Sequence, residues 1–264
     1  MSNINLKKGL EKMKRFLRNK LDETGAQGYT IGVSGGLDSA VTLKIASQAL
    51  NKEKIRPWIM PGNPSKEKNI KDAKNLTNKL NLEPKIINIE EITQLFNKKT
   101  PFNLSKNTLG NLRARIRMNF QYIDSNENNT LVLGAGNRTE LLLGYFTKYG
   151  DEAVDVQILR CLYKTEVREV AKIIDLPNKF IEKQPTAGLW KGQTDESELG
   201  ATYKEIDKIL KHLIEFNYST DEIAKKTKID KQKIEKIKKL HIKTQHKRNT
   251  PDYPRLRNLD IENK

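Results

Sequence analysis

Short apolar runs alternate with amphipathic stretches through the first half of the chain. Strand-like runs occupy residues 29–33, 55–60, 85–89 and 130–133, and helical patterns occupy 39–50, 65–80 and 107–123 between them. Strands that alternate with helices favour a parallel sheet that is covered on both faces. The pattern therefore predicts an α/β fold with a Rossmann-like parallel sheet. In such sheets ligands bind at the carboxyl ends of the strands, so we expect the loops after Val33, Met60 and Leu133 to share one crevice.

The sequence also predicts helices at both ends of the chain. Near the N-terminus, apolar residues recur every three or four positions, at Leu6, Leu10, Met13, Leu17 and Leu21. From residue 203 onward the pattern is helical again; we expect Thr220, with Glu222 nearby, to cap a short helix and Asp230 to start another. No repeat or low-complexity linker interrupts the sequence, so we expect one domain over residues 1–264.

Composition narrows the class of protein. No run approaches the roughly 18 apolar residues of a membrane span. The first 20 residues carry seven Lys and Arg without a following apolar segment, which argues against a secretory signal. The single cysteine, Cys161, excludes an intrachain disulfide and fits a reducing cytoplasm. We expect Cys161 to be a small buried residue rather than a nucleophile, because no histidine lies near it in sequence.

The net charge of +16 makes nucleic acid a candidate partner, because Lys and Arg side chains bind its phosphates. The excess of basic residues lies at the two ends of the chain, in residues 1–20 and 201–264. In a chain rich in Lys, Asn and Ile, this distribution is typical of solvated helix surfaces. We therefore expect neither a membrane nor a nucleic acid as partner.

A glycine-rich loop follows the first predicted strand, at Ser34-Gly35-Gly36-Leu37-Asp38-Ser39. Adjacent glycines let the backbone fold around an anion, and the helix that follows adds unpaired N–H groups and the positive end of its dipole. The loop has the spacing of neither a Walker loop nor a dinucleotide fingerprint. A plain strand-to-helix turn, capped by Ser34 or Asp38, is the alternative from the residues alone.

This loop resembles the pyrophosphate-binding loop of the ATP pyrophosphatases, which cleave ATP between the α and β phosphates. Further stretches, at 110–118, 134–151, 185–190, 193–200 and 246–248, are similar to those of the ammonia-dependent NAD synthetases. The resemblance runs in order from about residue 6 to residue 254. Phe-Thr-Lys-Tyr-Gly-Asp at 146–151 and Thr-Asp-Glu-Ser-Glu-Leu-Gly at 194–200 are its most specific parts.

The resemblance implies a two-step amidation. The nicotinate carboxylate of deamido-NAD attacks the α-phosphorus of ATP, which gives an acyl adenylate and pyrophosphate, and ammonia then displaces AMP to form NAD. Such chemistry needs no side-chain nucleophile and is driven by positioning and charge neutralisation. Glutamine-using relatives carry an additional amidase domain, and only a short helix precedes the first strand here, so we expect free ammonia as the nitrogen donor.

The same resemblance assigns residues. Asp38 and Glu140 match magnesium ligands, which suits hard oxygen donors beside phosphates. The matches to ATP contacts are Gly32, Val33, Ser34, Gly35, Gly36, Leu37, Asp38, Ser39, Ala135, Lys164 and Thr186. The matches to deamido-NAD contacts are Arg115, Lys148, Asp155, His246 and Lys247. Ala135 stands where bacterial relatives commonly carry Thr, so a hydroxyl contact to ATP is lost there.

The helix at 107–123 belongs to a homodimer interface in the resembled family, and we expect a homodimer. From the residues alone, its apolar stripe at Leu109, Leu112, Ile116, Phe120 and Ile123 reads as core, and Arg113, Arg115 and Arg117 as an exposed face. Residues 185–200 are glycine-containing and polar, which is typical of a mobile loop over a site.

Two other functions stay open at this point. One is another ATP pyrophosphatase, such as a tRNA-modifying ligase or a synthetase that aminates a purine nucleotide. The absence of a Cys-x-x-Cys pair argues against sulfur transfer to tRNA. The other is a nucleotide-binding protein without catalysis, which would not need Asp38, Glu140 and Lys164 together.

Overall fold

The computed structural model describes residues 5–63, 65, 67–184, 195–251 and 254. Its strands are β1 (Gly28–Gly32), β2 (Ile55–Ile59), β3 (Lys85–Ile86), β4 (Thr130–Gly134) and β5 (Val156–Gln157). Its α-helices are α1 (Leu6–Thr24), α2 (Leu37–Ala49), α3 (Glu67–Lys79), α4 (Glu90–Lys99), α5 (Lys106–Asn128), α6 (Arg138–Leu143), α7 (Lys164–Ile173), α8 (Asn178–Ile181), α9 (Asp195–Leu199), α10 (Tyr203–Leu210), α11 (Thr220–Thr227) and α12 (Lys231–Lys243).

The five strands form one parallel sheet in the order β3-β2-β1-β4-β5. The predicted α/β fold is confirmed, and each predicted strand is present with ends shifted by one to three residues. β1 is central: Ile31 pairs with Pro57 of β2 on one side and Leu133 of β4 on the other. The chain leaves β1 toward β2 and returns through β4, so the loop after β1 lies where the strand order reverses and a crevice opens.

Two apolar cores support this arrangement. The larger one joins the sheet to α1, α2 and α7, and it contains the predicted stripe residues Leu10, Met13, Leu17 and Leu21 of α1. The second core lies under the C-terminal helices α10, α11 and α12, with Leu142 and Leu143 of α6. None of the helices within the described ranges is long and apolar enough to cross a membrane.

Helix α5 attaches to the sheet through a buried carboxylate. Asp124 accepts two hydrogen bonds from Arg56, each of 2.9 Å, one of 2.6 Å from Lys85 and one of 2.9 Å from Thr30. Burial alone would raise the pKa of Asp124, but these donors hold it far below its usual value. The helix is therefore fixed to β1, β2 and β3 by charge as well as by packing.

Of three further sequence-based expectations, two are wrong and one is confirmed. Ser219, one residue before Thr220, caps α11, since its hydroxyl accepts from the Glu222 N–H. Asp230 does cap α12 as predicted. Cys161 ends a short 3-10 turn at the sheet edge and is exposed rather than buried.

The arginines of α5 do not form one exposed face. Only Arg115 is exposed. Arg113 is buried in an ion pair with Glu90 at 3.0 Å, because α4, which the pattern analysis missed, packs against α5. The expected core stripe is also incomplete, since Ile116 is buried but Ile123 is 57% exposed.

Candidate active site

The loop after β1 has the geometry of an anion site. Gly35 has φ +75°, and a Cβ there would lie 2.1 Å from the carbonyl oxygen of Asn69, so only glycine fits. Helix α2 begins after Gly36 with no side-chain cap. The alternative of a turn capped by Ser34 or Asp38 is therefore wrong, and the helix N-terminus faces the crevice with its N–H groups and positive dipole end.

Two serines fix the shape of this loop from inside. The hydroxyls of Ser34 and Ser39 lie 3.0 Å apart, and Ser39 donates to the Gly36 carbonyl at 3.2 Å. The Gly36 N–H donates in turn to the Ser34 hydroxyl at 3.2 Å. The loop thus holds its curvature before any ligand arrives, which lowers the cost of binding an anion.

Lys183, which lines the same cleft, contacts the backbone of the loop. Its ammonium donates to the Gly35 carbonyl at 2.7 Å and to Asp72 of α3 at 2.9 Å. Lys179 shares the same carboxylate at 2.8 Å but does not contact the loop. The loop therefore has a lysine at its edge, although that lysine is 148 residues away in sequence and sequence reasoning missed it.

A buried lysine joins two carboxylates at the mouth of the loop. The Lys164 ammonium lies 2.5 Å from Asp38 and 3.1 Å from Glu140. Asn137 donates its side-chain amide to Asp38 at 3.1 Å and caps α6, with Glu140 completing the capping box. The ends of β1 and β4 and the start of α7 thus bring together three residues that the sequence analysis selected.

Asp207 of α10 fixes the start of α7 through hydrogen bonds. Asp207 accepts from the Thr139 hydroxyl at 2.6 Å and from the Thr165 N–H at 2.8 Å. Thr139 accepts from the Lys164 N–H at 2.9 Å. Two backbone N–H groups of α7 are therefore satisfied by side chains from other helices, which fixes the base of Lys164 relative to Glu140.

Burial and mutual charge shift the acid–base behaviour of this cluster. Burial raises the pKa of Glu140 to about 7, against the opposing effect of Lys164. Burial disfavours the charged form of Lys164, but Asp38 and Glu140 outweigh it and raise its pKa. The lysine is therefore a fixed positive charge, and Glu140 is the member of the cluster whose charge is sensitive to surroundings.

Two further acidic residues, Asp195 and Glu198, lie on the same side of the site as Glu140. The Tyr145 hydroxyl donates to Asp195 at 3.2 Å and to Glu198, and Tyr203 donates to Asp195 at 2.9 Å. Asp195 and Glu198 belong to a stretch that carried the resemblance, but the sequence analysis gave them no role. Their position beside Glu140 makes this wall acidic.

The loop, Asp38, Glu140, Lys164 and the acidic residues Asp195 and Glu198 border one cleft of about 870 Å³. Of the residues predicted for ATP and metal, Gly32, Val33, Ser34, Gly36, Leu37, Asp38, Ser39, Ala135, Glu140 and Lys164 line it. Gly35 lies in the same loop behind them. Thr186 and the part of the predicted mobile loop at 185–194 lie outside the described residues.

The predicted deamido-NAD contacts fall into two places. Arg115 donates to the Lys148 carbonyl at 3.1 Å, and Lys148 donates to the His246 carbonyl at 2.9 Å. Lys247 lines the cleft and donates to the Gly144 and Phe146 carbonyls, each at 2.7 Å. Asp155 lies apart, where it accepts from the Val132 N–H at 2.7 Å and the Tyr122 hydroxyl at 3.1 Å.

Comparison with known proteins decides the family. The NAD synthase family profile matches residues 9–251, which is nearly the whole chain. The chain belongs to the NAD synthase family. Enzymes of this family are ligases of NAD biosynthesis, and all the residues that line the cleft lie within the matched region.

Relatives within the NAD synthase family agree over the full length. The chain is 42% identical to the NH(3)-dependent NAD(+) synthetase of Pyrococcus furiosus over 262 residues, which covers 99% of this chain and 100% of that one. The structure of an NH3-dependent NAD synthetase from Campylobacter jejuni superposes with a TM-score of 0.81 at 35% identity, covering 96% of this chain and 100% of that chain. An NMN synthetase from Francisella tularensis superposes with a TM-score of 0.85 at 33% identity, covering 96% and 99%.

Proposed function

We propose that the protein is an ammonia-dependent NAD synthetase that uses ATP to convert the nicotinate carboxylate of deamido-NAD into the amide of NAD. The observation that carries this is the meeting of the glycine-rich loop with Asp38, Glu140 and Lys164 in one cleft. The full-length similarity to enzymes named for this reaction supports the same assignment. Residues 1–264 then act as one catalytic domain.

The reaction consists of two displacements. A carboxylate oxygen of deamido-NAD forms a bond to the α-phosphorus of ATP, the bond from that phosphorus to the β-phosphate oxygen breaks, and pyrophosphate leaves. The nitrogen of ammonia then attacks the acyl carbon, the bond from that carbon to the AMP oxygen breaks, and AMP leaves while the nitrogen loses a proton. A carboxylate is a poor acyl donor, and adenylation gives it a leaving group.

The residues of this chain position and neutralise the reacting groups. The loop and the start of α2 receive the phosphates, and Lys164 supplies positive charge where the pyrophosphate develops its own negative charge. Ala135, at the end of β4, offers only its backbone and methyl group to the nucleotide, and Thr186 is proposed as a further ATP contact. The acidic wall with Asp195 and Glu198 suits the approach of ammonia, which arrives from the ammonium ion.

The donor set fits magnesium. Asp38 and Glu140 are two hard oxygen ligands next to the phosphate loop, and Mg²⁺ is ordinarily held by one or two carboxylates together with phosphate oxygens and waters. Among the described residues there is no group of three or more His, Cys, Asp or Glu side chains that would suit a metal held by protein alone. When bound, Mg²⁺ would neutralise phosphate charge and polarise the α-phosphorus.

We assign the rim formed by Arg115, Lys148, His246 and Lys247 to deamido-NAD. Lys247 lines the cleft, and Arg115 and Lys148 connect to it through hydrogen bonds to the Lys148 and His246 carbonyls. Two lysines and an arginine that lie together suit the dinucleotide pyrophosphate. Asp155, which lies apart from this rim, is assigned to a hydroxyl of the same substrate, because its carboxylate is a hydrogen-bond acceptor.

We also propose a cytoplasmic homodimer that contacts neither a membrane nor a nucleic acid. The exposed apolar side chains of Ile123, Phe102 and Tyr149, 57%, 70% and 55% exposed, lie on or beside α5 and support a partner surface there. Light scattering at micromolar concentration should give twice the chain mass of 30.3 kDa. A mass of one chain would overturn the dimer.

A reaction assay tests the function directly. The purified protein is given ATP, Mg²⁺ and deamido-NAD with either ammonium or glutamine, and NAD, AMP and pyrophosphate are followed. We expect equal amounts of all three products with ammonium and none of the NAD with glutamine in ammonia-free reagents. AMP without NAD would keep the adenylation and overturn the acyl substrate.

One observation favours a second acyl substrate. The structure named as an NMN synthetase superposes as well as the NAD synthetase does. Nicotinate mononucleotide, which carries the same carboxylate on a shorter nucleotide, is therefore the second substrate to assay. A kcat/KM for the mononucleotide above that for deamido-NAD would reassign the protein to NMN synthesis.

A further inference from the structure

One face of helix α5 lines the cleft. The residues that contribute to the lining recur at intervals of three and four, and they are Asn107, Asn111, Ala114, Arg117 and Gln121. Only one of these five side chains, that of Arg117, carries a charge. The acidic residues Glu140 and Asp195 line the same cleft.

Arg117 has no ion-pair partner among the described residues. Its Nε donates to the Met60 carbonyl at the end of β2, at 2.9 Å. The two nearby acids are engaged elsewhere: Glu90 pairs with Arg113 at 3.0 Å, and Asp151 accepts from the Thr147 N–H at 2.8 Å. The guanidinium therefore keeps donors for a ligand in the cleft.

Keeping this cation in place is costly to the free protein. Burial, together with repulsion from Arg113, lowers the pKa of Arg117 to about 10. A guanidinium that is desolvated and forms no ion pair within the described residues destabilises the fold, because the attraction of Asp151 and Glu90 does not offset its burial. An apolar side chain of similar length would avoid that cost. Destabilising charges of this kind are typical of ligand sites, where the ligand supplies the missing counterion.

We propose that Arg117 binds an anionic oxygen group, a carboxylate or a phosphate, of a substrate held in the cleft. This rests on the proposed function for the identity of the substrates, and it adds a cation on the α5 wall to those of the loop and the rim. The planar fork of the guanidinium suits two-point contact with either group. Arg117 differs from its neighbours in this respect: Arg113 is used by Glu90, and Arg115 is exposed at the rim.

The experiment compares Arg117→Met and Arg117→Lys with Arg113→Lys. Titration calorimetry measures the affinity of each variant for ATP, deamido-NAD and NAD, and thermal unfolding measures stability. For Arg117→Met we expect about 10-fold or greater loss of affinity for at least one ligand, as for a lost charge-assisted hydrogen bond. The melting temperature should be equal to that of the wild type or higher. Arg117→Lys should recover part of the affinity, and Arg113→Lys should leave it unchanged.

The pattern of losses identifies the anion. Loss for deamido-NAD but not for NAD identifies the carboxylate, since the two differ only there; equal loss for both identifies the dinucleotide phosphates, and loss for ATP alone identifies the triphosphate. Unchanged affinity for all three ligands would overturn the proposal, whether or not the melting temperature falls. If wild type bound ATP but not deamido-NAD, the proposed function would fail while the ATP measurement still tested Arg117.

Discussion

Lys164 is buried between two carboxylates that are also the proposed ligands of a divalent cation. A single positive charge in that position keeps Asp38 and Glu140 together in the free protein, where their mutual repulsion would otherwise separate them. The same ammonium faces the phosphate loop. The residue thus links the stability of the empty site to the charge balance of the reaction.

Replacing Lys164 with Met should lower kcat for NAD formation by about 100-fold or more, in the range seen when a preorganised charge-stabilising donor is removed. Pyrophosphate exchange into ATP should fall in parallel, because the loss affects adenylation. Lys172→Met is the matched control, since Lys172 lies on the same helix and, within the part of the chain that the structure describes, forms an ion pair only with exposed Glu169. A Lys164→Met enzyme within threefold of the wild type would contradict the role.

Lys183→Met tests whether the contact between Lys183 and the loop backbone matters for ATP. Loss of a charge-assisted hydrogen bond to the Gly35 carbonyl should raise KM for ATP by about 10-fold. Lys179→Met should not change it, because Lys179 shares Asp72 without contacting the loop. Steady-state kinetics with ATP varied measures both. Equal effects of the two variants would show that Asp72, rather than the loop, is what Lys183 serves.

At the scale of elements, α5 depends on Asp124. Asp124→Asn should lower the free energy of unfolding at pH 7 by about 3–5 kcal/mol, as for other broken buried ion pairs. Because the pKa of Asp124 is lowered in the folded state, its stabilisation is present above the unfolded value of about 4 and is lost as pH falls below it.

Urea unfolding at several pH values measures this effect. The difference between wild type and Asp124→Asn should shrink between pH 5 and pH 2. Glu127→Gln, an exposed change on the same helix, serves as control and should stay within about 0.5 kcal/mol of the wild type. A difference that is constant with pH would show that packing, not the carboxylate charge, holds α5.

Pattern analysis found the elements whose signal is local. The strands β1, β2 and β4 are apolar runs bounded by turns, so their periodicity and length suffice. The two-residue strand β5 was missed because two residues carry no period, and helix α4 was missed although Ile92, Leu95 and Phe96 recur at helical spacing. The glycines predicted the loop that contains Asp38 without help from the rest of the fold. Lys183, Asp207 and Arg117 could not be predicted in this way, because their roles depend on contacts between segments that are distant in sequence.

At the scale of the whole molecule, the C-terminal helices approach α6 most closely at Gly144. This residue ends α6 with φ +60°, and a Cβ there would lie 2.4 Å from Cβ of Thr244, just beyond α12. Helix α6 also carries Glu140, so the approach of the C-terminal helices to the cleft depends on this one position. Lys247 reaches the cleft from the same junction.

Gly144→Ala should therefore destabilise the protein by about 1–3 kcal/mol, from backbone strain and the contact with Thr244. Gly9→Ala is the matched control: nothing lies within 4 Å of its added Cβ, and Gly9 is inside α1. That variant should gain about 0.5–1 kcal/mol. Thermal unfolding of both variants measures the contrast, and a neutral Gly144→Ala would show that the close approach of Gly144 to Thr244 does not constrain the fold.

The three uses of α5 constrain how this enzyme can change. One side of the helix is committed to the sheet through Asp124, another to the cleft through Arg117, and a third to the exterior through Arg115 and Ile123. Many substitutions on such a helix would therefore disturb its contact with the sheet, with the cleft or with a partner. Laboratory evolution toward a new acyl substrate should therefore accept mutations more readily on α11 and α12, and libraries that spare α5 should yield a higher fraction of folded variants.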